Sequence, residues 1–215
     1  MDEYLDVNKV LQFNEEFLNY LRKHPVTATR LDKGIYPFDG GIRIHPFYPE
    51  IRKKKDGRYT SFLGIGCGHG CDERQVKFAG VKNVKGIDKY PDRIEEGFKI
   101  YQDRDVMENN FIVGDALSLH DYFLPESFDY VHSSWLTNKL DGHEVKKLFE
   151  NARWVLRRDG TFFGKTPEKG NNFDISSGEI EEYLDKAGFK RIFAENRYQN
   201  GKNILYFHCH KLQQG

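Results

Sequence analysis

Cysteine is scarce in this chain: Cys67, Cys71 and Cys209 are the only three in 215 residues. An odd, sparse set excludes a disulfide scaffold. Charge of one sign is missing as well, because 33 Lys and Arg balance 33 Asp and Glu. No global field recruits nucleic acid or an anionic membrane. No apolar run approaches the roughly 20 residues that span a bilayer, and the start Met1-Asp2-Glu3 lacks the basic region of a signal peptide. A cytoplasmic protein without membrane partners is expected. The length suits one α/β domain with a sizeable core and leaves no room for a second catalytic domain.

What is present is glycine in one unusual run. Ser61-Phe62-Leu63-Gly64-Ile65-Gly66-Cys67-Gly68-His69-Gly70-Cys71-Asp72 passes from an apolar stretch through alternating glycines into a charged, helix-like segment. A strand, a glycine turn and a helix start let a ligand lie against bare backbone, with the helix's free N–H groups facing it. The dinucleotide fingerprint does not fit, since the place of its third glycine is held by His69 or Cys71.

Two further segments repeat the pattern of a strand with an acid at its end. Asn83 to Asp88 reads as a second strand, roughly 20 residues beyond the glycines, where a βαβ unit places a carboxylate on ribose hydroxyls. Two carboxylate oxygens can accept from both hydroxyls at once. Asn110 to Ala116 reads as a third strand with Asp115 just past its end. Each aspartate alone also suits a helix cap or a turn.

In sequence, the glycine run resembles the first motif of class I S-adenosylmethionine-dependent methyltransferases, with Gly64 standing where that family has an acid. The family's acid helps hold the methionyl amino group. The resemblance implies that Gly64, Gly66, Cys67 and Gly68 cradle the cofactor, and that Asp88 with Lys89 meets the ribose. Asp115 and the backbone of Ala116 would read the adenine, and Ser133 would close the set.

The later segments follow the family's order. Phe128 to Leu136 reads as a fourth strand opening into a loop, and Asp141-x-x-Glu144 caps a helix with Val145, Leu148, Phe149, Ala152, Val155 and Leu156 at helical spacing. Leu156 to Gly160 reads as a turn and Thr161 to Gly164 as a fifth strand. Ser176-x-x-Glu179 opens a helix closing at Gly188, and Arg191 to Tyr198 and Asn203 to His210 flank an Asn200-Gly201 hairpin turn. The implied fold is a Rossmann-like, mostly parallel sheet of seven strands. Helices would lie on both faces, an antiparallel hairpin would end the chain, and a helical extension would precede it. Residues 59–215 form the expected methyltransferase domain, and residues 1–58 an acceptor-side cap.

Three decoys are set aside. Gly164-Lys165-Thr166 lacks the P-loop spacing, and Tyr198 with Lys202 straddles a turn instead of sharing a helix face. Cys67, Cys71, His208, Cys209 and His210 do not form a zinc set, because Cys67 sits in the glycine loop and the later run alternates faces on a strand. No metal is expected.

The acceptor side carries fewer signals. Relatives that methylate nucleobase or glutamine nitrogens carry an Asn/Asp-Pro-Pro-aromatic tetrapeptide where this chain has His132-Ser133-Ser134-Trp135, which looks more like the branch acting on small molecules. The leading segment holds an amphipathic helix, with Val7, Val10, Leu11, Phe17, Leu18 and Leu21 on one face, and an aromatic loop from Tyr36 to Pro49. Methyl transfer is an in-line displacement that needs a base only for a hydroxyl or a protonated amine. His132 is the first candidate base and His45 the second. RNA or protein methylation is the alternative suggested by Arg52-Lys53-Lys54-Lys55 with Arg58, a run that also suits a solvated face. A cofactor-binding protein without transferase activity is the other alternative.

Overall fold

The computed structural model describes residues 61–78, 81, 83–101, 103–169, 174–199 and 202–212. The expected N-terminal helix and aromatic loop, His45, the Arg52–Arg58 run and the Asn200-Gly201 turn lie outside the described residues.

Seven strands form one sheet: β1 (Ser61–Ile65), β2 (Asn83–Asp88), β3 (Phe111–Val113), β4 (Phe128–Ser134), β5 (Leu156–Pro167), β6 (Lys190–Gln199) and β7 (Lys202–His210). Their spatial order is β3-β2-β1-β4-β5-β7-β6. Pairing is parallel from β3 across to β5, while β7 runs antiparallel to both β5 and β6. The mostly parallel sheet ending in an antiparallel hairpin is thus present. Central β1 is buried at all its positions, which is why it reads as a continuous apolar run.

The helices are α1 (Cys71–Phe78), α2 (Pro91–Tyr101), the short α3 (Arg104–Met107), α4 (Gly142–Val155) and α5 (Ser177–Lys186). Strand alternation sends Leu63 and Ile65 to one face, where Val145, Leu148, Phe149 and Ala152 of α4 and Ile180 and Leu184 of α5 join them in one apolar cluster. On the other face Gly64 abuts Glu73 of α1. Ile94 and Phe98 of α2 pack on that side with Met107 and against Cys67 and Phe111. Helices therefore cover both faces.

Both expected capping boxes form. Glu144 N–H donates to Asp141 Oδ1 at 2.8 Å and Asp141 N–H to Glu144 Oε2 at 3.0 Å; Ser176 and Glu179 make the equivalent pair before α5. Each satisfies donors that a helix start leaves open.

One expected turn is different. Residues after Leu156 do not separate α4 from a short fifth strand; β5 already begins at Leu156 and carries a bulge. Phe128 pairs with Leu156 and Tyr130 with Thr161, so a step of five residues on β5 matches a step of two on β4. Asp159 adopts a φ of 60° within the bulge, a left-handed conformation that aspartate tolerates better than most residues. Among the described residues no helix is long and apolar enough to cross a membrane.

Candidate functional site

The strand ends of β1, β2 and β4 converge on the loop from Gly66 to Gly70. Gly66 and Cys67 N–H both donate to Ile87 O, at 2.8 and 3.1 Å, which ties the loop to β2. Gly68 has a φ of 56°, and a Cβ placed on it would meet nothing within 4 Å. Its bare backbone borders open space, the condition for a ligand to approach the main chain.

Asp88 ends β2 beneath this loop and is 5% exposed. Its Oδ2 accepts from Gly68 N–H at 2.8 Å and its Oδ1 from Tyr90 N–H at 2.9 Å. Each oxygen keeps a lone pair for a further donor. Asp115 lies one strand over, because β3 pairs in register with β2 and Gly114 N–H donates to Asp88 O at 3.0 Å. Its Oδ1 caps the following 3-10 turn through Leu117 N–H at 2.9 Å, and the residue is otherwise exposed. Ala116 is buried beside it, while Lys89 is exposed over the Tyr90 ring at 5.1 Å.

A cavity of about 210 Å³ opens between the loop, the start of α1 and the end of β4. Gly66, Cys67 and Gly68 form one wall, Asp72 and Glu73 a second, and His132 and Ser134 a third. Arg93 and Lys139 also border it. Burial, with Arg93 next, lowers the Lys139 pKa. Ser133 does not line the cavity; it is fully buried, and its register partner is Ile65, so strand alternation turns its hydroxyl to the α4 face. A larger open cavity, about 460 Å³, lies beside Arg153, Trp154 and Lys211, with Pro125 and Glu126 just before β4 in its lining, away from the glycine loop.

His132 is 2% exposed and sits between Phe62 and Phe163, with ring centroids 6.1 and 4.8 Å away. Nδ1 lies 3.5 Å from Asp72 Oδ2, and Nε2 has no hydrogen-bond partner. Burial, and then the Lys165 charge, pull its pKa down to about 3. The imidazole is neutral at ordinary pH. The thiols move the other way: burial raises Cys67 well above its usual range and Cys71 to about 11. Neither is a ready nucleophile. Among the described residues no cluster of His, Cys, Asp and Glu could hold a metal ion.

A site on the C-terminal edge of a sheet, with a glycine loop and an acid ending each of the next two strands, is the arrangement of a nucleotide-like cofactor. The methyltransferase domain family matches residues 62–160, the span containing all these groups. These residues are a class I S-adenosylmethionine-dependent methyltransferase domain.

The methyltransferase domain is similar to O-methyltransferase atr3 of Stereocaulon alpinum, 27% identical over 165 residues, or 72% of this chain and 48% of that protein. It is also similar to O-methyltransferase phiE of a fungal species, 27% identical over 121 residues, or 54% of this chain and 40% of that protein. The chain spans no more than about half the length of these curated relatives. In fold it matches a SAM-dependent methyltransferase from Archaeoglobus fulgidus with a TM-score of 0.62, at 15% identity, covering 79% of this chain and 91% of that one. The cofactor fits the residues present. Gly68 leaves the backbone open, Asp88 and Asp115 end adjacent strands with acceptor capacity, and the buried Glu73 Oε2 lacks a partner.

Several residues of this methyltransferase domain escape a reading by motif. Asp72 and Glu73 look like ordinary acids in a helix's first turn, favoured there by the helix dipole. Arg74 looks like a surface cation but is 1% exposed, and it binds Asp103 at 2.7 and 2.8 Å and His69 O at 2.6 Å. Its guanidinium carbon also lies 4.3 Å from the Tyr101 ring centroid and 4.8 Å from that of Phe111. This clamp fastens the glycine loop to the segment after α2. Only the missing acid at Gly64 hinted that a neighbouring carboxylate had to be sought elsewhere.

Proposed function

We propose that the chain transfers a methyl group from S-adenosylmethionine to an oxygen of a small-molecule acceptor. The observation that carries this reading is the cavity where the glycine loop faces His132, a neutral imidazole with an unpartnered Nε2. The O-methyltransferase names of the relatives support oxygen as the acceptor atom.

S-adenosylmethionine supplies an electrophilic methyl group on a sulfonium. The backbone at Gly66 and Gly68 would border the cofactor, Asp88 would accept from the ribose hydroxyls, and Asp115 with the Ala116 N–H would receive the adenine. Cys67 and Lys89 flank these contacts. A hydroxyl attacking the methyl becomes strongly acidic as its new bond to carbon forms, and its proton then needs an acceptor. His132 Nε2 is the proposed acceptor, with Asp72 beyond Nδ1 to stabilise the imidazolium. His45 remains the second candidate, and residues 1–58 are the proposed cap over the acceptor.

The test is methyl transfer from labelled S-adenosylmethionine to a panel of phenols and carboxylic acids, read by mass spectrometry. A methyl ether or ester is expected. Labelling confined to RNA or protein would favour the alternative acceptors. Tight cofactor binding with no transfer to any acceptor would favour a non-catalytic role.

A further inference from the structure

Of the carboxylates around the glycine loop, three have evident partners, Glu96 among them, 3.0 Å from His69 Nε2. Asp88 holds Gly68 and Tyr90 N–H, and Asp72 faces His132. Glu73 is different. It is 1% exposed, it lines the cavity, and its Oε2 has no hydrogen-bond partner. The adjacent Arg74 is committed to Asp103, His69 and Gly70. Burial, then the Asp72 charge, push the Glu73 carboxyl well above the usual range. A buried carboxyl oxygen without a partner is costly, and a cation entering the cavity would remove that cost.

The position of this carboxyl explains a second oddity. A Cβ built on Gly64 would overlap Glu73 Oε1 and lie 2.7 Å from Glu73 Cδ. Glu73, reaching in from α1, therefore fills the volume that any side chain on β1 would need at position 64. Glycine at 64 leaves room for that carboxyl, and a side chain there would displace it. The same cavity is bordered by the cations Arg93 and Lys139, so its walls carry both signs of charge, as a zwitterionic amino acid would demand.

We propose that Glu73 receives the ammonium group of the cofactor's amino acid portion, taking the place of an acid at position 64. This rests on the S-adenosylmethionine reading. Calorimetric titration would compare S-adenosylhomocysteine with methylthioadenosine, which keeps the adenosine and sulfur but lacks the amino acid. In Glu73→Gln, S-adenosylhomocysteine should bind at least about tenfold more weakly, or roughly 1.4 kcal/mol. Methylthioadenosine should bind within about twofold of the unmodified protein, and the ligand-free melting temperature should not fall, since a strained buried acid has been removed. In Glu73→Ala the loss should recur, and adding Gly64→Asp should restore most of the affinity by returning a carboxylate from the strand.

Unchanged S-adenosylhomocysteine affinity in Glu73→Gln would overturn the proposal. So would equal losses for both ligands, which would mean that Glu73 merely shapes the loop. If the unmodified protein binds the two ligands equally well, the amino acid portion is not recognised and the proposal fails while the cofactor reading stands. If it binds neither, the cofactor reading itself fails. Should Glu73→Gln not fold, Glu73→Ala with and without Gly64→Asp decides, and absence of rescue counts against the proposal.

Discussion

The Gly68 N–H donates to Asp88 Oδ2 at 2.8 Å, across a sequence separation of 20 residues. The carboxylate that ends β2 is thus a brace for the glycine loop as well as the proposed acceptor for the ribose hydroxyls. Asp88→Ala would leave Gly68 and Tyr90 N–H without their acceptor, and an unpaired buried donor costs about 1–3 kcal/mol. Cofactor affinity and thermal stability should fall together, measured by calorimetry and by melting. An unaltered melting temperature with weaker binding would separate the two roles and assign Asp88 to the ligand alone.

Arg74 and Asp103 form a bidentate pair at 1% and 0% exposure. Removing one partner strands a buried charge, at a cost of about 3–5 kcal/mol. Arg74→Met should destabilise the fold by that amount in urea titration. Arg74→Met with Asp103→Leu should recover much of it, because neighbouring residues in one network do not add. The double variant should still bind the cofactor more weakly, since the clamp on His69 O is gone.

Burial holds the His132 pKa at about 3, below the ordinary 6.5. Between those values the unfolded chain binds a proton that the folded chain refuses, so stability is lost as pH falls below about 6.5. The maximal slope is about 1.4 kcal/mol per pH unit. His208, drawn down to about 4 mainly by burial, acts in the same direction. The contribution of His132 is therefore read as the difference between the unmodified protein and His132→Asn, whose acid limb should be shallower. For the same reason, methyl transfer should show no inflection near pH 6.5 from this imidazole. A turnover profile with such an inflection, abolished in His132→Asn, would mean that bound acceptor restores an ordinary histidine pKa.

Gly64→Ala should be destabilising by about 1–3 kcal/mol, the range for overpacking a filled site. The cost should largely vanish in a Glu73→Ala background, where the colliding carboxyl is gone. Additive losses by thermal unfolding would show that position 64 is intolerant for a reason of its own backbone and not because of Glu73.

Local chemistry made much of this protein legible. Strand-like segments with Asp88 at the end of one and Asp115 just past the end of the other, apolar spacing from Val145 to Leu156, and the Asp141 and Ser176 capping boxes each depend on residues within a few positions of one another. The succession of strands and helices, the glycine loop and the acids beside it could be read because each of these signals is contained in one segment, while the arrangement of the sheet came from the family resemblance. The Leu156–Gly160 segment shows the limit: its turn chemistry was visible, but whether it bends the chain away or bulges a strand depended on pairing with β4.

What the linear chain determined, then, is which elements form and which acids end them. The tertiary structure alone decided which side chains meet. Strand alternation carried Ser133 into the interior and left Ser134 on the cavity. Packing between Phe62 and Phe163 removed His132 from water and its proton with it. Arg74 found Asp103 across 29 residues, and Glu73 took the space that Gly64 leaves. The physical reason is that charge, burial and close contact act through space, and a sequence records only the distance along the chain.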